Sequence, residues 1–168
     1  MIKIKVKSIK NNFDKLVKLY PTKISFSNLI SKEDINSLQN KLKIIIPEEF
    51  VFYLTNYKLN LLNSDFDILS IDRIIEETDY IRGEGADKNY LVISAYDEFY
   101  LCIDLTSKNK DETFPIIELT RDLLYLDEKK LAYSDLYKFL EDIIKQDIEW
   151  ENEINEEEKA KQKELKAF

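Results

Sequence analysis

The chain has 168 residues, of which 44% are apolar and 35% are charged, and its formal net charge is −8. This length predicts one domain with an extension, and the apolar fraction is sufficient to bury a core. The acidic balance favours a basic protein partner and argues against DNA, RNA or an anionic membrane surface as the ligand.

The chain begins with a lysine-rich stretch, MIKIKVKSIK, in which charged and aliphatic residues alternate. This period of two predicts a short strand over residues 2–7. Apolar residues at helical spacing then predict a helix over residues 8–20, which Pro21 ends. The stretch lacks the apolar core of a signal peptide, and no segment approaches the roughly 18 apolar residues of a membrane helix. We therefore expect a cytoplasmic protein.

A second helix is predicted to begin at Ser31. The sequence SKED places Asp34 three residues after this serine, in the arrangement of a capping box. The apolar residues that follow form one helical stripe: Ile35, Leu38 and Leu42. The stripe predicts that one side of this helix faces the core.

The stretch IIIPEEF (44–50) predicts a joint between this helix and the next one. Its isoleucines indicate a buried connection. Pro47 suits the first turn of a helix, where its missing N–H costs nothing. Glu48 and Glu49 would then lie near the positive end of the helix dipole, where negative charge is favoured.

The middle of the chain predicts a short strand, a helix, a loop and then several strands. The strand covers residues 66–71 and the helix residues 72–81. The loop covers residues 82–89 and holds both glycines of the chain. The strands that follow are predicted at 90–95, 99–105 and 114–119, with a further short strand at 123–126.

The chain is predicted to be helical from Ala132 onwards. Six apolar residues share one helical face: Leu136, Phe139, Leu140, Ile143, Ile144 and Ile148. After Trp150 the sequence is mostly charged. This segment is typical of a solvated helical extension or a frayed tail.

Histidine is absent, and cysteine occurs once, as Cys102. This composition excludes Ser-His-Asp and Cys-His catalysis, histidine metal sites and a multi-cysteine zinc site within the chain. The apolar, alternating neighbours of Cys102 predict a buried strand residue. We therefore expect no catalytic residue, no bound metal, no cofactor and no enzyme activity.

Paired carboxylates are the one remaining basis for catalysis, because two neighbouring acids can exchange protons or hold Mg²⁺. The nearest candidates are Asp65 with Asp67 and Glu76 with Glu77. Such pairs arise by chance in a chain with 33 acidic residues. A metal-dependent enzyme therefore stays a remote alternative.

The two predicted helices around IIIPEEF carry a family resemblance. The pattern IxxLxxxLxIxIPEEFxxYLxN resembles the opening signature of the SUKH superfamily, the Smi/Knr-type domains. It is formed by Ile35, Leu38, Leu42, Ile44, Ile46, Pro47, Glu48, Glu49, Phe50, Tyr53, Leu54 and Asn56. The segment LAYSDLYKFLEDII (131–144) is similar to the closing helix of that family. The chain departs from the pattern at Lys43, and again at Tyr57 and Lys58, where the family usually has glycine.

The resemblance covers residues 31–146 and implies an α+β fold, a mostly antiparallel sheet with helices packed around it in a single domain. Residues 1–30 would then be an N-terminal strand and helix extension, and residues 147–168 a charged helical extension. Bacterial members are mainly immunity proteins that bind and neutralise a cognate polymorphic toxin, often a nuclease. Eukaryotic relatives act as regulatory interaction modules. Neither role requires catalysis.

Two functions follow as hypotheses. The first is an immunity protein that binds a basic toxin, and the second is a regulatory or scaffolding module that uses the charged C-terminal helix. Partner-binding residues are expected among acidic and aromatic groups of the loops and turns, because tyrosine is enriched at binding hot spots and complementary charge speeds association. The candidates are Glu76, Glu77, Asp79, Tyr80, Glu84, Asp87, Tyr96, Asp97 and Glu98.

Overall fold

The computed structural model describes residues 2–63, 67–96, 98–121 and 129–166, with side chains described from Ser8 to Lys163 within these ranges. In this part of the chain there are five helices and six strands. The helices are α1 (Ile2–Leu19), α2 (Lys32–Leu42), α3 (Glu48–Asn56), α4 (Ile71–Gly83) and α5 (Leu136–Lys166). The strands are β1 (Ile24–Ser25), β2 (Lys58–Leu59), β3 (Tyr90–Ala95), β4 (Phe99–Asp104), β5 (Ile116–Thr120) and β6 (Lys130–Tyr133).

Strands β3 to β6 pair in chain order as an antiparallel sheet, and β1 pairs with β2 in a small separate sheet. Side chains alternate between the two faces of the large sheet. Leu91 and Leu101 point into a core shared with the helices, whereas Val92 and Cys102 point into a second, smaller core. The predicted α+β fold is confirmed, as is the burial of Cys102. Desolvation raises the pKa of that thiol.

The larger core is built from aromatic and aliphatic residues of helices α1 to α5 together with strand residues. Phe13 of α1, Leu38 of α2, Phe50 of α3 and Phe139 of α5 are all buried in it. The Phe13 ring lies 5.0 Å from the ring of Tyr57 and 4.7 Å from that of Tyr137, measured between centroids. Each large apolar side chain buried in this way contributes about 1.5–3 kcal/mol, so α1 is part of the core.

The predicted start of α2 and the predicted joint between α2 and α3 are confirmed in most of their details. The Ser31 hydroxyl accepts a hydrogen bond from the Asp34 amide, and the Asp34 carboxylate accepts one from the Ser31 amide, which completes the capping box. Pro47 is the N-cap residue of α3. The prediction that all three isoleucines are buried is wrong for Ile45, which is 87% exposed. Ile44 is partly buried and Ile46 is buried, so the connection exposes its middle isoleucine to solvent.

Lys43 ends α2 in the left-handed conformation, with φ 54° and ψ 43°. This is a position where the resemblance implies glycine, which adopts a positive φ without steric cost. A side chain with a Cβ is strained there by about 1–2 kcal/mol. Tyr57, another position of expected glycine, is extended at φ −139° and carries no such strain. The chain thus ends α2 in a left-handed conformation at a residue for which that conformation is unfavourable.

Three predicted element types are wrong at their stated places. Residues 2–7 belong to α1 and not to a strand. A helix that already exists over residues 8–19 gains a hydrogen bond for each residue added, whereas an isolated strand needs a partner. The described part of 66–71 is not a strand either. Ser70 caps α4, and two hydrogen bonds join the segment to β3, from the Leu69 amide to Ile93 O and from the Ser94 hydroxyl to Asp67 O, without forming a strand ladder.

The third error is the start of the last helix. Ala132 lies in β6, which pairs with β5, and α5 begins only at Leu136. The Asp135 carboxylate accepts a hydrogen bond from the Lys138 amide at 3.0 Å and so sets this start. The strand predicted at 123–126 lies outside the described residues. The three strands from 90 to 119 are confirmed, with ends shifted by up to two residues.

The small sheet and α5 are joined by a buried ion-pair network. The Lys23 ammonium lies 2.8 Å from Asp147 Oδ2 and 2.8 Å from Glu151 Oε2. Asp147 is fully buried and also accepts a hydrogen bond from the Asn63 amide at 2.9 Å. Burial lowers the pKa of Lys23, but its two carboxylate partners outweigh this, and the net pKa is raised. The network attaches α5 to the residue before β1 as far along as Glu151, which lies past Ile148, the last apolar residue of the stripe.

We expect Lys43→Gly to raise the free energy of unfolding by about 1 kcal/mol, because glycine removes the left-handed strain. Denaturant titration measures the change. Lys41→Gly is the matched control, since Lys41 lies in the last turn of α2, and that variant should lower stability by about 1 kcal/mol. Destabilisation by both changes would contradict the interpretation.

We expect Lys23→Met to lower the free energy of unfolding by about 3 kcal/mol, because it leaves the Asp147 carboxylate buried without a cation. Thermal and denaturant unfolding measure the loss. In the matched control, Lys10→Met, the exposed pair with Asp14 is removed instead, and no measurable change is expected. Equal effects of the two variants would show that the buried network contributes no more than a surface pair.

Candidate partner-binding surface

Helix α4 carries an acidic outer face. The helix begins after Ser70, whose hydroxyl accepts a hydrogen bond from the Arg73 amide at 3.4 Å. Its buried residues, Ile74, Thr78 and Ile81, all lie on the side that meets the sheet. The opposite side is therefore exposed by helical geometry. It carries Asp72, Glu76, Asp79 and Tyr80.

Helix α4 also closes one edge of the large sheet. The Thr78 hydroxyl accepts a hydrogen bond from the Val92 amide at 3.1 Å. Ile74 enters the larger core and Ile81 the smaller one, so the helix straddles the edge of β3. An uncovered edge strand would present unpaired amides to other chains. This contact fixes which side of α4 faces outwards.

Glu77 differs from its neighbours because its carboxylate is used within the fold. Its side chain is only 12% exposed, and the Arg73 guanidinium donates a hydrogen bond to it. It also lies beside the buried Tyr100 hydroxyl, whose pKa is raised by burial first and by Glu77 as well. Glu76 is far more exposed, and its oxygen is 4.0 Å from Arg73 Nε. Glu76 is thus available to a partner and Glu77 is not.

The loop after α4 extends the acidic face. Glu84 and Asp87 are exposed there, and Gly85 supplies a positive φ of 101° that the turn requires. Arg82 holds the loop in place by donating one hydrogen bond to Leu42 O, at 2.9 Å, and another to Lys88 O. The loop is therefore anchored to the end of α2.

The turn between β3 and β4 carries the remaining candidates. Arg121 Nη1 donates to Tyr96 O at 2.8 Å, and the Arg121 amide donates to Glu98 O at 2.9 Å. The Tyr96 ring is half-buried against Phe99, 4.7 Å away between centroids, and burial raises the pKa of its hydroxyl. The Glu98 side chain is exposed. Asp97 lies outside the described residues.

The structure does not bring all the candidates together. The loop at 84–89 precedes β3 and the turn at 96–98 follows it, so the two groups lie at opposite ends of a strand about 17 Å long. The larger group lies on α4 and on the loop that directly follows it. We name it the acidic α4 face, formed by Glu76, Asp79, Tyr80, Glu84 and Asp87.

The carboxylate pairs considered for catalysis are not assembled into a metal site among the described residues, where no three acidic or cysteine side chains converge as metal ligands do. Asp67 is half-buried, accepts a hydrogen bond from the Ile68 amide at 2.7 Å, and has its pKa raised by burial. Asp65 lies outside the described residues.

Glu49 is a residue whose environment the sequence does not indicate. Its place after Pro47 predicts only a favourable contact with the α3 dipole. In the structure it is 4% exposed and lines a cavity between α1, α3 and the start of α5. Helical spacing places Glu49 beside the buried residues Phe50 and Tyr53, which was the one available signal.

The chain matches a known protein family over most of its length. A family model matches residues 29–142, and its description is SMI1 / KNR4 family (SUKH-1). The matched region covers more than half of the chain. Among curated proteins, none matches this chain.

No helix in the described ranges is long and apolar enough to cross a membrane. The division of the chain at residues 30 and 146 stays a prediction.

We expect Glu77→Gln to lower the free energy of unfolding by about 1 kcal/mol, because it removes a charged hydrogen-bond acceptor from Arg73, whose own side chain is partly screened by solvent. The control is Glu76→Gln, one residue away and exposed, which should leave stability unchanged. Denaturant unfolding measures both. If Glu77→Gln were also neutral, Glu77 would return to the set of residues available to a partner.

Proposed function

We propose, because this chain belongs to the SMI1 / KNR4 family (SUKH-1), that it is an immunity protein that neutralises a bacterial toxin by direct binding and without catalysis. The single observation that carries this proposal beyond the family is the acidic α4 face. Its carboxylates are exposed on a rigid helix and an anchored loop. We expect the toxin to be basic, as a nuclease that binds nucleic acid would be, and to be met in the cytoplasm.

The electrostatic argument concerns the rate of association. Glu76, Asp79, Glu84 and Asp87 present four carboxylates on one side of a chain whose net charge is −8. A cluster of one sign attracts a partner of the opposite sign and speeds the encounter, most strongly at low salt. Tyr80, 48% exposed within this face, supplies an aromatic contact of the kind that dominates binding energy.

A second candidate function is a regulatory or scaffolding module. The observation that favours it is the exposed part of α5, which continues as a helix from Glu151 to Lys166. Its described side chains there are exposed except for partly buried Glu151 and Ile154. A cellular protein could bind along this helix without touching the acidic α4 face, so the two candidates differ in the surface they use.

Co-expression with the toxin encoded beside this chain's gene tests the first candidate. We expect the chain to restore growth and to co-purify with the toxin as a stable complex. Failure of both, with folded chain present in the cells, would contradict the immunity function. Growth rescue without a complex would contradict neutralisation by binding.

The acidic α4 face is tested by charge reversal. We expect the triple variant Glu76→Lys, Asp79→Lys and Glu84→Lys to slow association with the toxin by about tenfold or more at low salt, and the difference to shrink as salt is raised. Stopped-flow or surface-based kinetics measures the rate.

The matched control is the triple variant Glu153→Lys, Glu156→Lys and Glu158→Lys. It changes the net charge by the same amount but lies on the exposed part of α5. Slowing by the α4 variant alone supports the acidic α4 face. Slowing by the α5 variant alone would move the interface to α5, and equal slowing would leave only a general charge effect.

A further inference from the structure

A cavity of about 360 Å³ lies where α1, α3, the loop between β4 and β5, and the start of α5 meet. Four carboxylates line it, from Glu49, Asp111, Glu112 and Asp135, together with Asn12 and Tyr137. Its volume is at the small end of ligand pockets and suits one side chain better than a large cofactor.

Glu49 is the unusual member of this set because it is 4% exposed and its carboxylate has no hydrogen-bond or ion-pair partner in the described part of the chain. A buried carboxylate without a cation costs several kcal/mol. The N-terminus of α3 offsets part of this cost, since the helix dipole favours negative charge in its first turn.

Two of the other carboxylates that line the cavity have partners of their own, and none of those partners is a cation within reach of Glu49. Glu112 lies 3.3 Å from Lys108, and both side chains are exposed. Asp135 is occupied by the start of α5, where it accepts hydrogen bonds from the Lys138 amide at 3.0 Å and the Ser134 hydroxyl at 2.8 Å. The cavity therefore presents acceptors and negative charge to whatever enters it.

The shape of the site indicates an extended cation. No three carboxylates of the described chain converge as the ligands of a metal ion do. The Tyr137 ring forms part of the wall, held edge-on against Phe13. A guanidinium group is planar, donates five hydrogen bonds in a fixed fork, and stacks on aromatic rings, so it can meet separated acceptors and a tyrosine face together.

We propose that this cavity receives the guanidinium side chain of an arginine presented by a basic protein partner, with Glu49 as its main acceptor. The assignment rests on the proposed function, because it takes the partner to be a protein. One wall of the cavity comes from α1, which lies before the region matched by the family model. The site is thus a feature of this chain's own N-terminal helix as well as of the family domain.

The test uses the full chain and a small probe, N-acetyl-arginine amide, titrated by calorimetry and by NMR. We expect weak, saturable binding that shifts the amides of α1 and α3. N-acetyl-citrulline amide, which has the same shape without the charge, should not bind. Glu49→Gln should weaken binding of the arginine probe by about tenfold or more, whereas the control Glu153→Gln, at an exposed site on α5, should leave it unchanged.

Unfolding of Glu49→Gln separates binding from a structural role. A carboxylate that the fold does not use should be replaced without loss of Tm, whereas a loss of several degrees would make Glu49 a structural residue and overturn the proposal. Equal binding of the arginine and citrulline probes, or no effect of Glu49→Gln, would also overturn it. If N-acetyl-lysine amide bound as tightly, the assignment to arginine would be wrong.

The outcomes for the cavity and for the immunity function are distinguishable. If the arginine probe binds but no toxin does, the cavity assignment stands and the toxin partner is wrong. If the toxin binds and Glu49→Gln leaves its affinity unchanged, the immunity function stands and the cavity proposal is overturned.

Discussion

The hydrogen bond from the Val92 amide to the Thr78 hydroxyl, 3.1 Å long, joins α4 to the edge of the sheet. Once this edge is closed, the rotation of α4 about its own axis is set, with Ile74 and Ile81 directed into the two cores. The carboxylates at positions 76 and 79 can then only face outwards. The acidic surface is therefore a geometric consequence of how the sheet protects its edge.

The arginines show how the fold uses its positive charge. Arg73 binds Glu77, Arg82 donates to the carbonyl oxygens of Leu42 and Lys88, and Arg121 donates to Tyr96 O and lies over the Tyr100 ring. All three arginines of the sequence act within the framework around α4 and its neighbouring turns. The forks of Arg82 and Arg121 hold backbone segments, and the exposed side of α4 carries three carboxylates, from Asp72, Glu76 and Asp79, against the guanidinium of Arg73.

Much of the fold could be predicted from local patterns, because those patterns act within a few residues. The capping box at Ser31 needs only Asp34, and the strands at 90–95 and 99–104 are recognisable by their own apolar runs. Two short strands that were not predicted depend on a distant partner. Residues 58–59 become a strand only because 24–25 pair with them, and 130–133 because β5 offers an edge.

The same distinction between local patterns and distant partners applies to the candidate site. Exposure of Glu76, Asp79 and Tyr80 follows from helical periodicity alone. The engagement of Glu77 could not be predicted, because the buried Tyr100 beside it belongs to a strand more than twenty residues away. The distance between the loop at 84–89 and the turn at 96–98 depends on the length of β3. Glu49 needs three separate elements to enclose it, and no spacing in the sequence describes that enclosure.

Helix α5 gives the molecule a shape that its residue count does not suggest. Its 31 residues span about 46 Å, of which about 24 Å, from Glu151 to Lys166, lies past the last buried position. Buried positions end at Asp147, and the described side chains after Ile154 are exposed. The protein should therefore tumble anisotropically in water, faster about the α5 axis than across it. A spectroscopic probe on the exposed part of α5 would sense that motion without disturbing a buried position.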